Sequence, residues 1–213
     1  MKRLIPSLAV LALAASAAVA ESPRASLRYQ DGAGGAGEPP HADVPAVQGG
    51  AGLHFLEKNS RWWSAGVSYA DDYDNLTEVN LYGSYSRFIE DRVEIIGELS
   101  VRYFDQDGGD ALGVNPAIVF RYHWWSSDEV GTWTAYADIG IGAMIATDDV
   151  PQDGTSFDFT PRAGVGITHA LSGTTRLLVG LRWSHISNAR LWGDNDNPGS
   201  DAAMLHVGII WEF

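Results

Sequence analysis

The chain has 213 residues, a formal net charge of −13 and no cysteine. Its acidic balance argues against nucleic acid as a partner, and without thiols neither a disulfide framework nor a thiolate metal site is available. The fold must then rest on a packed core or a closed sheet.

Residues 1–20, MKRLIPSLAVLALAASAAVA, have a basic start (Lys2, Arg3), a short apolar run and a small-x-small end at Ala18-Val19-Ala20. They read as a secretory signal peptide cleaved after Ala20, too short in its apolar part for a membrane-spanning helix. Without Lys2 and Arg3 the mature chain carries 12 basic against 27 acidic residues, a net charge of −15. Residues 21–60 read as a flexible N-terminal leader, because DGAGGAGEPPHADVP is rich in Gly, Ala and Pro and offers no core. At its end, AGLHFLE (51–57) fits a strand or a lead-in equally well.

From Arg61 onward the texture changes to alternating runs. Strands are predicted over 62–70, 76–89, 93–105, 111–125, 132–146, 157–171, 174–188 and 202–213. The breaks alternate in character. DDYDN, DQDGGD, TDDVPQDGTS and NARLWGDNDNPGS are acidic, whereas IED, SSDEV and SG are mostly shorter. Successive hairpins therefore put acidic loops at one end and tighter turns at the other, as outer loops and periplasmic turns are arranged in a transmembrane barrel.

Alternation gives each strand an apolar and a polar face. In 174–188 the odd positions run Leu177, Val179, Leu181, Trp183, then His185 and Ser187, while the even ones include Arg176, Arg182 and Ser184. In 202–213 the odd set is Ala203, Leu205, Val207, Ile209, Trp211 and Phe213, against His206, Gly208 and Glu212. A water-soluble sandwich has the same period, so orientation decides. The apolar faces end in aromatics (Trp133, Trp183, Trp211, Phe213), as interfacial girdles do, and the polar faces carry charges of both signs that can pair in a narrow bore. The expected fold is all-β, an eight-stranded antiparallel transmembrane β-barrel over residues 61–213, in the outer membrane. His123 and His206 fall on the bore side of this register, where paired interior histidines are expected.

The stretch SHISNARLWGDNDNPGSD (Ser184–Asp201) interrupts this pattern. His185 and Ser187 are two apart, so they share the lipid-facing side at the outer end of the seventh predicted strand. Asp201 opens the eighth on the same register, adjacent across the hairpin. A serine hydroxyl becomes nucleophilic when an imidazole takes its proton, and the imidazole needs an acceptor to fix its tautomer. The bland alternative is a strand that has simply reached the headgroups, where such residues are harmless.

SHISNA followed by NPGSD resembles the signature of the lipid A 3-O-deacylase (PagL) family, eight-stranded outer-membrane barrels that hydrolyse an ester of lipopolysaccharide. The family motif runs His-x-Ser-Asn, then Asn-Pro-Gly-x-Glu, and the likeness extends more loosely through FDFTPRAGVGI and YADIGIGA. The resemblance implies Ser187 as nucleophile, His185 as general base, Asp201 as the orienting acid, Asn188 at the oxyanion and Asn197 as support. Asp201 departs from the family's Glu and is one methylene shorter. The implied activity is removal of the 3-O-acyl chain of lipid A, without cofactor or metal, with outer-membrane lipid around the barrel and a homodimer left open. Two rivals remain: a non-enzymatic small barrel for adhesion or membrane integrity, and a phospholipid esterase using the same site. The acidic DNDNPGSD lacks the spacing of a calcium loop and reads as solvated loop. There is no Gly-x-Ser-x-Gly elbow.

Overall fold

Period-two alternation over long runs leaves each strand with one face that must avoid water and one that must find partners; closing the sheet on itself satisfies both. The computed structural model describes residues 54–191, 193 and 197–213. The signal peptide, the leader up to residue 53 and the acidic centre of the last outer loop (192 and 194–196) lie outside the described residues. Among the described residues, nine strands form one antiparallel sheet: β1 Arg61–Asp71, β2 Leu76–Glu90, β3 Val93–Gln106, β4 Ala111–Ser126, β5 Trp133–Val150, β6 Thr155–Phe159, β7 Arg162–Ala170, β8 Thr175–Ile186 and β9 Ser200–Glu212. Except for β6 and β7, neighbours in sequence pair with one another, β7 pairs with β5, and β1 also pairs with β9, so the sheet closes on itself.

β6 and β7 both pair with β5 and together make one stave, so the barrel has the expected eight. The stave is broken at Thr160-Pro161, because proline has no N–H to give to a ladder. Its carbonyl still serves: the His185 N–H donates to Pro161 O at 3.0 Å.

The distribution of polarity is that of a membrane barrel. Leu81, Ile139 and Ile145 are about two-thirds exposed, while Arg102, Arg121, Arg162 and Arg182 are buried in the bore. Most of the bore charges are paired. Asp138 accepts from Arg182 Nη2 at 2.9 Å and Arg121 Nη2 at 3.1 Å, and Arg102 meets Glu78 at 2.8 Å. His123 contacts Thr134 Oγ1 at 2.9 Å, and His206 Nε2 contacts the Tyr136 hydroxyl at 2.8 Å. Glycines make room for such groups: a Cβ on Gly180 would sit 2.5 Å from His206 Cε1 and collide with the Tyr136 hydroxyl.

The short-turn end is closed by the chain itself. The expected leader ends earlier than residue 60, because residues 54–60 turn into the barrel mouth. Phe55 is buried there, 5.2 Å ring to ring from Trp62, Phe88 and His123, with the Arg176 guanidinium 3.9 Å over its face. Asn59 N–H donates to Phe88 O at 2.8 Å, and Arg92 N–H to Leu56 O at 2.8 Å. Two large apolar side chains at the end of the Gly-, Ala- and Pro-rich leader, Phe55 and Leu56, supply the burial that turns a lead-in into a plug.

Candidate active site on the outer wall

At the acidic-loop end of β8 the alternation continues past the apolar stripe. Trp183 and His185 face outward, Ile186 and Asn188 inward. Ser187 follows β8 on the outward register and is tied by its backbone to Phe159, accepting at 2.7 Å and donating at 3.1 Å. β9 begins opposite: His185 pairs with Asp201 and Trp183 with Ala203.

This register brings the imidazole and carboxylate together. His185 Nδ1 lies 2.9 Å from Asp201 Oδ1, with the Asp201 side chain 64% exposed and that of His185 27%. An Nδ1–H directed at the carboxylate leaves Nε2 as the basic nitrogen. Ser187 shares their face, but among the described residues its hydroxyl makes no hydrogen bond, to His185 or to any other group.

Asn188 is buried beneath the serine. Its N–H donates to Asn197 Oδ1 at 2.9 Å, its Nδ2 to Thr155 Oγ1 at 3.2 Å, and its Oδ1 accepts from Arg190 N at 2.8 Å. Asn197 thus ties the last outer loop to the end of β8. Gly199 follows in the left-handed region (φ 63°), and a Cβ there would meet His185 Cε1 at 3.5 Å, so the loop returns directly against the imidazole. Ser200 Oγ donates to Asp72 Oδ2 at 3.1 Å, anchoring the start of β9 to the first outer loop.

Trp183 was placed by sequence only as a girdle aromatic. In the structure its Nε1–H donates to Asp201 Oδ1 at 2.8 Å, and its ring lies 22° from parallel with His185, centroids 5.8 Å apart. The hydrogen bond is diagonal across the β8–β9 pair, and spacing along one strand cannot reveal it. Thr155 was also missed, since it reaches Asn188 from the far side of the β6 break.

Beside these side chains the outer wall is hollowed. A groove of about 610 Å³ runs over β7, β8 and β9, lined by Ala163, Val165, Leu181, Trp183, Ala203 and, at its end, Asp201. Alanine on both neighbours of Trp183 creates it: Ala163 and Ala203 are its cross-strand partners. Among the described residues no three His, Asp or Glu side chains are grouped to hold a metal.

Fold and site together define a class: a small transmembrane barrel that carries a serine, a histidine and a carboxylate on its outer wall rather than in its bore. The chain belongs to the lipid A 3-O-deacylase (PagL) family, whose model matches residues 48–209. It is a bacterial outer-membrane barrel. Among solved structures it is similar to the outer membrane enzyme PagL, at 24% identity and a TM-score of 0.51 over 69% of this chain and 97% of that one. It is similar also to Neisserial surface protein A, at 13% identity and a TM-score of 0.53 over 72% of this chain and 97% of that one. Both likenesses are of the fold. No curated protein matches the chain.

Proposed function

We propose that the protein is a serine esterase that removes the ester-linked 3-O-acyl chain from lipid A of lipopolysaccharide. Its site faces the outer leaflet, at the level of the glycolipid esters. The observation that carries this reading is the 2.9 Å contact of His185 Nδ1 with Asp201 on the lipid-facing wall, at the end of an apolar groove. A histidine on that wall has no packing reason to be there, and burying its polarity in lipid costs energy.

Ser187 Oγ attacks the acyl carbonyl carbon while His185 Nε2 takes its proton, and Asp201 stabilises the imidazolium. The resemblance assigns Asn188 to the oxyanion; in the free protein it is buried with its N–H and Nδ2 engaged by Asn197 and Thr155, so it must exchange one of these bonds to donate, and one such donor is worth about 3 kcal/mol in other hydrolases. His185 then returns the proton to the departing sugar oxygen, leaving an acyl-serine. Water, deprotonated by His185, then attacks that ester, and His185 gives the proton to Ser187 Oγ as the acyl–oxygen bond breaks and the fatty acid leaves. Neither the Ser187–His185 bond nor a free Asn188 donor is present in the free protein, and catalytic hydrogen bonds commonly tighten only when substrate is bound. The groove suits a fatty acyl chain, and a substrate already in the leaflet reaches it by lateral diffusion.

The test is the mass of lipid A after incubation of lipopolysaccharide with the purified barrel. Loss of one hydroxyacyl chain, absent in Ser187→Ala and His185→Asn, is the expected result. An unchanged mass with the barrel folded contradicts an enzyme of this kind, and fatty acid released only from phospholipid moves the substrate class.

A further inference from the structure

The geometry points to Trp183 as a positioning residue for the catalytic carboxylate: its indole N–H pins Asp201 against His185. The inference rests on the reading of Ser187, His185 and Asp201 as a triad. Asp201 needs such a support. Its side chain is 64% exposed on the outer wall, and it has a single methylene with which to reach the imidazole. A carboxylate so placed has alternatives in water and headgroups, and time spent turned away is lost to catalysis.

Two donors converge on one oxygen. Asp201 Oδ1 accepts from Trp183 Nε1 at 2.8 Å while lying 2.9 Å from His185 Nδ1. The indole can lean to that diagonal position because its direct partners, Ala163 and Ala203, are small. Its ring also lies nearly parallel to the imidazole, limiting the ring orientations open to His185. An interfacial tryptophan ordinarily turns its N–H to water or headgroups. Here that donor is spent on a carboxylate, which is why we assign it to the site rather than to the aromatic girdle. Trp183 touches neither serine nor scissile ester in this scheme; it acts through Asp201.

The test uses the full barrel in detergent micelles and a fluorophosphonate probe, which reports Ser187 reactivity without any lipid. Trp183→Phe keeps the ring and deletes the donor. Labelling of Ser187 is expected to slow about tenfold, far less than the roughly 10⁴-fold loss typical when the triad acid itself is removed. Adding Asp201→Glu, whose longer arm reaches the imidazole without the clamp, is expected to restore most of the rate. On lipid A the loss falls on kcat, with KM unchanged because the ring still walls the groove. In wild type the Trp183 indole N–H resonance, identified by its absence in Trp183→Phe, is expected to move in Asp201→Asn, a readout that needs no activity. Wild-type labelling rates in Trp183→Phe, or no recovery with Asp201→Glu, overturn the inference. A wild-type barrel that labels at Ser187 but leaves lipid A intact refutes the proposed substrate and leaves Trp183 judged by its labelling rates. No labelling of wild type at all overturns the triad and this inference with it.

Discussion

The bore and the outer wall of the barrel treat charge in opposite ways. In the bore, Asp138 is shared by two guanidinium groups, and Arg182 reaches both Asp138 and, at 3.6 Å, Glu98. On the wall, Asp201 is held by one imidazole and one indole, and the Ser187 hydroxyl is bonded to nothing among the described residues. Bore charges that neutralise one another hold the staves together. On the wall, an exposed carboxylate and an unbonded hydroxyl at the end of a groove are what the proposed esterase would present to a substrate.

The largest effect that sharpens this contrast is on the wall. Ser187→Ala or His185→Asn should lower deacylation by up to about 10⁶-fold, as in other serine hydrolases, with the unfolding midpoint unchanged. In the bore the pattern should reverse. Asp138→Ala leaves two buried guanidinium groups without their shared carboxylate and should cost about 3–5 kcal/mol in urea unfolding from lipid vesicles, with the specific activity of folded molecules retained. Ala163→Phe should fill the groove beside Trp183 and lower kcat/KM about tenfold for long acyl esters, by raising KM, while short esters are spared. Comparing chain lengths checks this.

The smallest effect lies at the short turn between β4 and β5. The Thr132 hydroxyl and N–H, the latter donating at 2.8 Å, hold the Asp128 carboxyl below its usual range. A lowered folded-state value stabilises above the unfolded value and is lost as pH falls through the lowered one, below about 4. Asp128→Asn should therefore remove a slight acid dependence of the unfolding midpoint and leave activity alone.

Much of the barrel was legible because its rule is local. Alternation between turn-rich breaks set the eight staves, and the charges on even positions of β8, Arg176 and Arg182, marked the bore. The same period put His185, Ser187 and Asp201 on the outer face. What it could not give was contact between residues far apart in sequence. The plug by Phe55 depends on Phe88, His123 and Arg176 meeting at one mouth. The break at Pro161 reads in sequence as continuous strand because both halves pair with β5. The indole bond from Trp183 to Asp201 follows from a diagonal that only the β8–β9 register reveals. The shorter acid at 201 was visible in the sequence; the residue that steadies it was not.

The most direct measurement is the mass spectrum of lipid A from vesicles carrying lipopolysaccharide and either the wild-type barrel or Ser187→Ala. The wild type should convert lipid A to a species lighter by one 3-O-linked hydroxyacyl group, and the variant should leave it whole. Identical spectra from the two, with both barrels folded, would contradict a reactive serine on the lipid-facing wall.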